Sequence, residues 1–157
     1  MPLLPNSLAS SLENDWLAKE NGSFPDSTSV SADRFATAFA NWFGGAIAGP
    51  GAVTTAAARK SQLASLAIPA LSAQSAQAAG SQLAQAIAAY IAGQVFGAGV
   101  AGPPIATAAA GSQIGSVFAD LNSAPSARAQ QIASACLTLA TSTIVTFPPP
   151  TPPAPVS

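Results

Sequence analysis

The chain has 157 residues, with five basic and six acidic side chains, no histidine, one cysteine and a formal net charge of −1. Charged residues make up 7% of it, against roughly a quarter in an average soluble protein, and alanine alone supplies about a quarter of the chain. These numbers exclude a histidine triad, a histidine metal site, an imidazole pH switch and a disulfide framework within one chain. Five basic residues are also too few to build a nucleic-acid footprint.

The length suits one domain. The charges are crowded: Glu13, Asp15, Lys19, Glu20, Asp26, Asp33 and Arg34 lie in the first quarter, then Arg59 and Lys60, and finally Asp120 and Arg128. No charged side chain occurs between Ser61 and Ala119. Such a stretch must bury itself in its own fold, against neighbouring subunits, or in lipid.

The elements follow in order. Pro5-Asn6 lead into a first helix with Leu8, Leu12 and Trp16 on one face; Ser10 to Glu13 also reads as a capping box one turn later. Asn21-Gly22 and Phe24-Pro25-Asp26 end it and open a polar loop through Val30. Asn21-Gly22-Ser23 matches a glycosylation sequon and reads as a turn. The second helix, capped by Ser31 with Asp33 in its first turn, carries Phe35, Phe39, Trp42, Phe43, Ala46 and Ile47 as an apolar stripe up to Gly49-Pro50-Gly51. These aromatics are expected core anchors or subunit contacts, each worth about 1.5–3 kcal/mol when buried. A third helix begins near Thr54 or Thr55, carries Leu63 and Leu66, and breaks or kinks at Ile68-Pro69.

A long fourth helix is expected from about Leu71 to Phe96, with Ala76, Ala79 or Gly80, Leu83, Ile87, Tyr90 and Ile91 inward. Small residues at its start call for close approach of another backbone. Gln74, Gln77, Gln82 and Gln85 stand where lysine and glutamate usually stand, giving a face that hydrogen-bonds without charge and suits a repeated subunit contact. Residues 97–104 form a break. The fifth helix holds Ile105, Ile114, Val117, Phe118 and Leu121. The sixth starts at Pro125, after Asn122 or Ser123 as cap, and places Ile132, Cys136, Leu139 and Thr143 on one face. Cys136 reads as a small buried hydrophobe. Ser142 to Phe147 is extended and could add a strand to a neighbour's sheet, and PPPTPPAPVS reads as a polyproline II arm.

The expected architecture is therefore an all-α bundle of about five to six helices over 1–147, with an extended proline-rich arm over 148–157. The proposed contact residues are Phe35, Phe39, Trp42, Phe43, Phe147, Pro148, Pro149, Pro150, Pro152 and Pro153. No catalytic, cofactor or metal residues stand out: there is no GxSxG, P-loop or dinucleotide fingerprint, and Glu13 and Asp15 face different sides of a helix. The chain reads as non-enzymatic and cofactor-free.

Mean hydropathy is +0.38, which raises a membrane. Leu83 to Ala101 has the length of a span but contains Gln85, Gln94 and several glycines, and no close basic flank. Gly45-x-x-x-Gly49, Gly93-x-x-x-Gly97 and Gly111-x-x-x-Gly115 match the small-residue spacing of membrane helix pairs, a spacing that close soluble packing also produces. The first residues have no basic region before acids appear, unlike a signal peptide. A membrane-active, holin- or bacteriocin-like protein is the alternative reading, although such helices normally carry a basic face.

The short acidic first helix, Phe24 to Phe43 (FPDSTSVSADRFATAFANWF), the Ala/Gln-rich helices and the PPPTPPAPV segment together resemble small alanine-rich virion proteins of tailed bacteriophages, of the kind encoded among head–tail junction and tail genes. The resemblance is one of style over most of the chain. It implies a virion protein made in the host cytoplasm, non-enzymatic, present in many symmetric copies such as a ring. Its expected partners are copies of itself and, through the arm, other virion proteins, with no nucleic-acid or membrane partner. It carries over no functional residue.

Overall fold

The computed structural model describes residues 3–17 and 27–157. The expected Asn21-Gly22 and Phe24-Pro25-Asp26 turns, with Lys19 and Glu20, lie outside the described residues.

Helix α1 (Pro5–Ser11) has proline at its first position and runs into a π-helical turn, Leu12–Trp16. Leu8, Leu12 and Trp16 are all buried, as their spacing predicts. Helix α2 (Thr28–Phe43) starts one turn earlier than expected, because the Ser27 hydroxyl accepts from the Val30 amide at 3.2 Å. Ser31 instead receives the Trp16 indole N–H at 2.9 Å. Helix α3 (Lys60–Leu71) passes through Pro69, and Ser65, whose carbonyl loses its usual partner there, is exposed. Helix α4 (Ala76–Ile91) is capped by Ser75 and is shorter than expected at both ends. Helices α5 (Thr107–Ala119) and α6 (Pro125–Thr141) complete the set. Ile105 and Leu121, expected on the buried face of the fifth helix, fall outside it and are 87% and 82% exposed.

The chain is mostly helical but not all-α. After α2, β1 (Ile47–Ala48) and β2 (Gly51–Ala52) form a hairpin. The break after α4 is a second hairpin, β3 (Val95–Phe96) with β4 (Gly99–Ala101). After α6, β5 (Ile144–Thr146) turns back to β6 (Ala154–Pro155). Residues 148–157 are thus not a projecting arm: β6 pairs within the chain, across the expected 147/148 boundary. Strand β5, expected on a neighbour's sheet, lies between β4 and β6.

The two-stranded sheet β1–β2 and the four-stranded sheet β3–β4–β5–β6 are joined at both edges. Val53 bridges to Phe96 on one side, and Ala48 bridges to Val156 on the other. The six strands therefore close on themselves. The helices do likewise, since α1 packs on α2, α2 on α3, α3 on α4, α4 on α5, α5 on α6, and α6 on α1. Three helix–hairpin units make the ring. In the first two, a helix enters and a helix leaves each hairpin; in the third, α6 enters and α1 stands where the leaving helix would be.

The equivalence shows in the hydrogen bonds. Val53 donates to Ala46, Ala101 to Gln94, and Val156 to Thr143, at 3.0, 2.9 and 3.1 Å. Each hairpin base is entered by the same tight bond, Ala46 to Phe43, Gln94 to Ile91 and Thr143 to Ala140. Gly49 and Gly97, at φ +49° and +60°, open the first two turns, and the residues after them have negative φ, the pattern of a type II′ hairpin turn.

A line of rings runs down α2 into the strands. Trp16 meets Phe35 at 5.0 Å between centroids, Phe39 meets Tyr90 at 5.6 Å, and Phe43 meets Phe96 edge-on at 6.1 Å. The backbones of α4 and α5 touch through glycine. A Cβ on Gly80 would lie 2.2 Å from the Gly115 nitrogen, which is the close approach that the small residues at the start of α4 require. Of the three small-residue spacings, only Gly111-x-x-x-Gly115 serves a helix pair; Gly49 and Gly97 belong to hairpin turns.

Replacing Gly80 by alanine must drive α4 from α5 and should cost about 3 kcal/mol, the upper end of overpacking effects. Gly45→Ala, where the added Cβ meets only ordinary contacts, should change stability by less than about 0.5 kcal/mol. Denaturant unfolding followed by far-ultraviolet circular dichroism checks both; equal effects would contradict the packing described.

Candidate functional site

Several of the polar and titratable side chains serve the fold itself. Gln94 and Thr143, at equivalent hairpin bases, are fully buried. Gln94 donates to the Tyr90 carbonyl at 3.1 Å and accepts from the Thr55 hydroxyl, while Thr143 donates to the Leu139 carbonyl at 3.0 Å. The Tyr90 hydroxyl donates to the Ala56 carbonyl at 2.7 Å. Burial pushes its phenol up to about 12, against smaller opposing pulls from Gln94 and the Arg59 guanidinium.

Arg59 donates to the Ala92 and Ala89 carbonyls at 2.7 and 3.2 Å, covering the exposed end of α4. Lys60 pairs with Asp33 at 3.0 Å on the surface, where such a pair contributes little. Asp120 accepts from the Ser123 hydroxyl and the Asn122 and Ser123 amides, which hold its carboxyl below the usual range, so it shapes the loop before α6. Cys136 is buried, and desolvation holds its thiol well above the ordinary range. Among the described residues, no group of histidine, cysteine, aspartate and glutamate could hold a metal ion.

What remains is surface. The three hairpin tips meet at one end of the strand ring around a shallow depression of about 400 Å³, lined by Pro50, Gly51, Gly97, Ala98, Phe147, Pro148 and Thr151. Phe147 is buried there against the Gly99 backbone. Pro148, Pro149, Pro150, Pro152 and Pro153 are exposed around it. On the flank of the ring, Val100 and Ile144 stand outward on β4 and β5, 50% and 47% exposed. Ile105 joins them, since the Gly102 amide donates to the Ile144 carbonyl and that of Ile105 to the Ser142 carbonyl. No charged residue belongs to any of the three hairpins.

The proposed contact residues therefore divide. Phe35, Phe39 and Phe43 are fully buried in the chain's own core, Trp42 nearly so with its indole N–H on the Leu4 carbonyl at 3.0 Å, and Phe147 roofs the strand ring. All five anchor the chain's own core. The five prolines stay available to a partner. Val100 and Ile105 are not among the expected contacts, because one looks like part of a break and the other like part of a buried face, whereas Ile144 falls in the Ser142–Phe147 segment expected to meet a neighbour. A signal for them exists: Gly45, Ile47, Gly49 and Gly51 recur 48 positions on as Gly93, Val95, Gly97 and Gly99, which marks two equivalent hairpins.

The fold is thus a closed ring of three helix–hairpin units with an uncharged strand end. No protein-family profile matches the chain, and no curated protein and no solved structure matches it.

The chain has one tyrosine, so its ionisation can be read directly from tyrosinate absorbance. A folded-state value above the unfolded one means that the phenol's contribution to stability is complete below about pH 10 and is lost as the pH rises toward about 12. The native protein should show no tyrosinate until well above pH 10, and Tyr90→Phe should lose that part of the alkaline instability. A native transition centred near pH 10 would contradict the burial of Tyr90.

Proposed function

We propose that the chain is a non-enzymatic structural subunit of a tailed-bacteriophage particle, assembling in multiple copies at the neck or head–tail connector or in the tail. The observation that carries this is the exposed, charge-free sector of the ring. The run from Ser61 to Ala119 folds into most of α3, all of α4 and α5 and the second hairpin, and internal packing consumes only part of it. Gln74 just before α4, Gln77, Gln82 and Gln85 on it, Ser112 and Ser116 on α5, and Ala98, Val100 and Ile105 beside the hairpin all remain exposed. Monomeric surfaces normally intersperse charges of both signs. A face of amides, hydroxyls and small apolar groups can instead meet its own kind without bringing like charges together. The virion assignment follows the resemblance in style.

The membrane-active alternative has less support. Among the described residues, no helix is long and apolar enough to cross a membrane, and Arg59 and Lys60 are tied to α4 and α2 rather than gathered on a basic face.

Light scattering behind a sizing column, in detergent-free buffer, should give a discrete oligomer. Lysine at Gln74, Gln77, Gln82 and Gln85 together should dissociate it while changing stability by about 0.5 kcal/mol or less per site. A parent protein that stays monomeric at high concentration contradicts the multi-copy reading. Its absence from purified particles whose genome encodes it contradicts the virion reading.

A further inference from the structure

The third hairpin differs from the other two in one respect. Between the pairs nearest each tip, the first hairpin has Gly49-Pro50 and the second Gly97-Ala98, whereas the third has everything from Thr146 to Pro153. Its base is built like the others, so the barrel wall does not require the added length. The addition is Pro148, Pro149, Pro150, Thr151, Pro152 and Pro153, with every proline exposed. Such a segment has almost no backbone donors and prefers an extended form of about 3.1 Å per residue. Straightened, it reaches about 19 Å.

After this tether come residues 154–157. Val156 is 1% exposed, its amide donates to Thr143, and Ser157 exchanges two backbone hydrogen bonds with Ile47, at 3.0 and 2.8 Å. These few groups seal the slot between β5 and β1. Withdrawn, they leave two open strand edges, which are templates for another chain.

Resting on the multi-copy reading above, we propose that in the assembled state residues 154–157 of one copy fill the β5–β1 slot of the next. The occupant is a second copy of this chain, because the slot already fits that segment: the same Val156 cavity and the same Thr143 and Ile47 backbone groups receive it. The hydrogen bonds formed between copies replace those that residues 154–157 make within each copy. Straightening the tether also opens the turn closed by the Thr151 amide on the Pro148 carbonyl, at 3.2 Å, a cost opposed by the extended preference of the prolines. Each copy gives one strand and receives one, a head-to-tail arrangement that closes into a ring when the rotation permits.

Ile47 and Ser157 face each other as a hydrogen-bonded antiparallel pair, about 5.5 Å apart at Cα, within disulfide range. In a Cys136→Ala background, I47C and S157C chains are refolded together, checked for oligomers by light scattering, oxidised and run on a non-reducing gel. A covalent dimer is expected from the mixture and from neither chain alone, and the doubly substituted chain should give a covalent ladder. Oligomers whose doubly substituted chains close only within themselves would overturn the strand exchange and leave the multi-copy reading standing; monomers throughout would overturn both. A variant with Pro148–Pro153 replaced by Gly-Gly leaves Thr146 opposite Val100 and Phe147 in place, and should fold with unchanged helicity but assemble less than the parent. Assembly equal to the parent's would overturn the exchange.

Discussion

Closure of the strand ring by the Ile47–Ser157 pair is the constraint on which the rest of the molecule depends. Hairpins with two- and three-residue strands are not stable alone. Each becomes so only because its outer edges are taken by its neighbours, at Val53–Phe96, along β4–β5, and at Ala48–Val156. Six short strands with no free edge leave no unpaired backbone row. Each hairpin base also fixes the direction in which its helix enters, so the ring of strands sets the ring of helices.

The side chains divide their work accordingly. Phe35, Phe39 and Phe43 run along α2 toward Phe96, linking the helical layer to the floor of the strand ring. Alanine and glycine elsewhere bring backbones together, most closely at Gly80 and Gly115, so the core rests on close approach as much as on large side chains. Among the described residues, charge is kept to the π-helical turn after α1, to α2, the start of α3, the loop before α6 and the first turn of α6. The α4–α5 side and the hairpin end are left uncharged, and it is there that a neighbour of the same kind could pack.

Much of the helical layer is legible in the sequence. The α2 stripe, the inward face of α4 from Leu83 to Ile91 and the burial of Cys136 follow from 3.6-residue spacing, and the Pro125 start of α6 from proline's fit to a first helical position. The caps do not, since Ser27 rather than Ser31 caps α2, and Ala124, with no side-chain cap bond, precedes α6 in place of Asn122 or Ser123. The strands are not legible. Ile47-Ala48 and Val95-Phe96 are too short to show a period of two, and each joins smoothly to the apolar face of the preceding helix, so the helices read too long. Thr54-Thr55 looks like the start of the third helix, which in fact begins at Lys60, and instead serves the strand layer, where the Thr54 amide donates to the Val95 carbonyl. The proline segment reads as an arm because polyproline composition reports local stiffness, while the partner of Val156 at Ala48 lies more than a hundred residues away in sequence. Of the exposed strand end, the five prolines and the segment holding Ile144 are legible, whereas Val100 and Ile105 need the third dimension.

Hydrogen exchange of three equivalent amides tests ring closure most directly. Val53, Ala101 and Val156 each donate the same bond at their hairpin base. In a cooperatively closed ring they should exchange through one common opening, with comparable protection. Val156 exchanging as fast as unstructured chain while Val53 and Ala101 stay protected would mean that the ring is open at β6, contradicting closure.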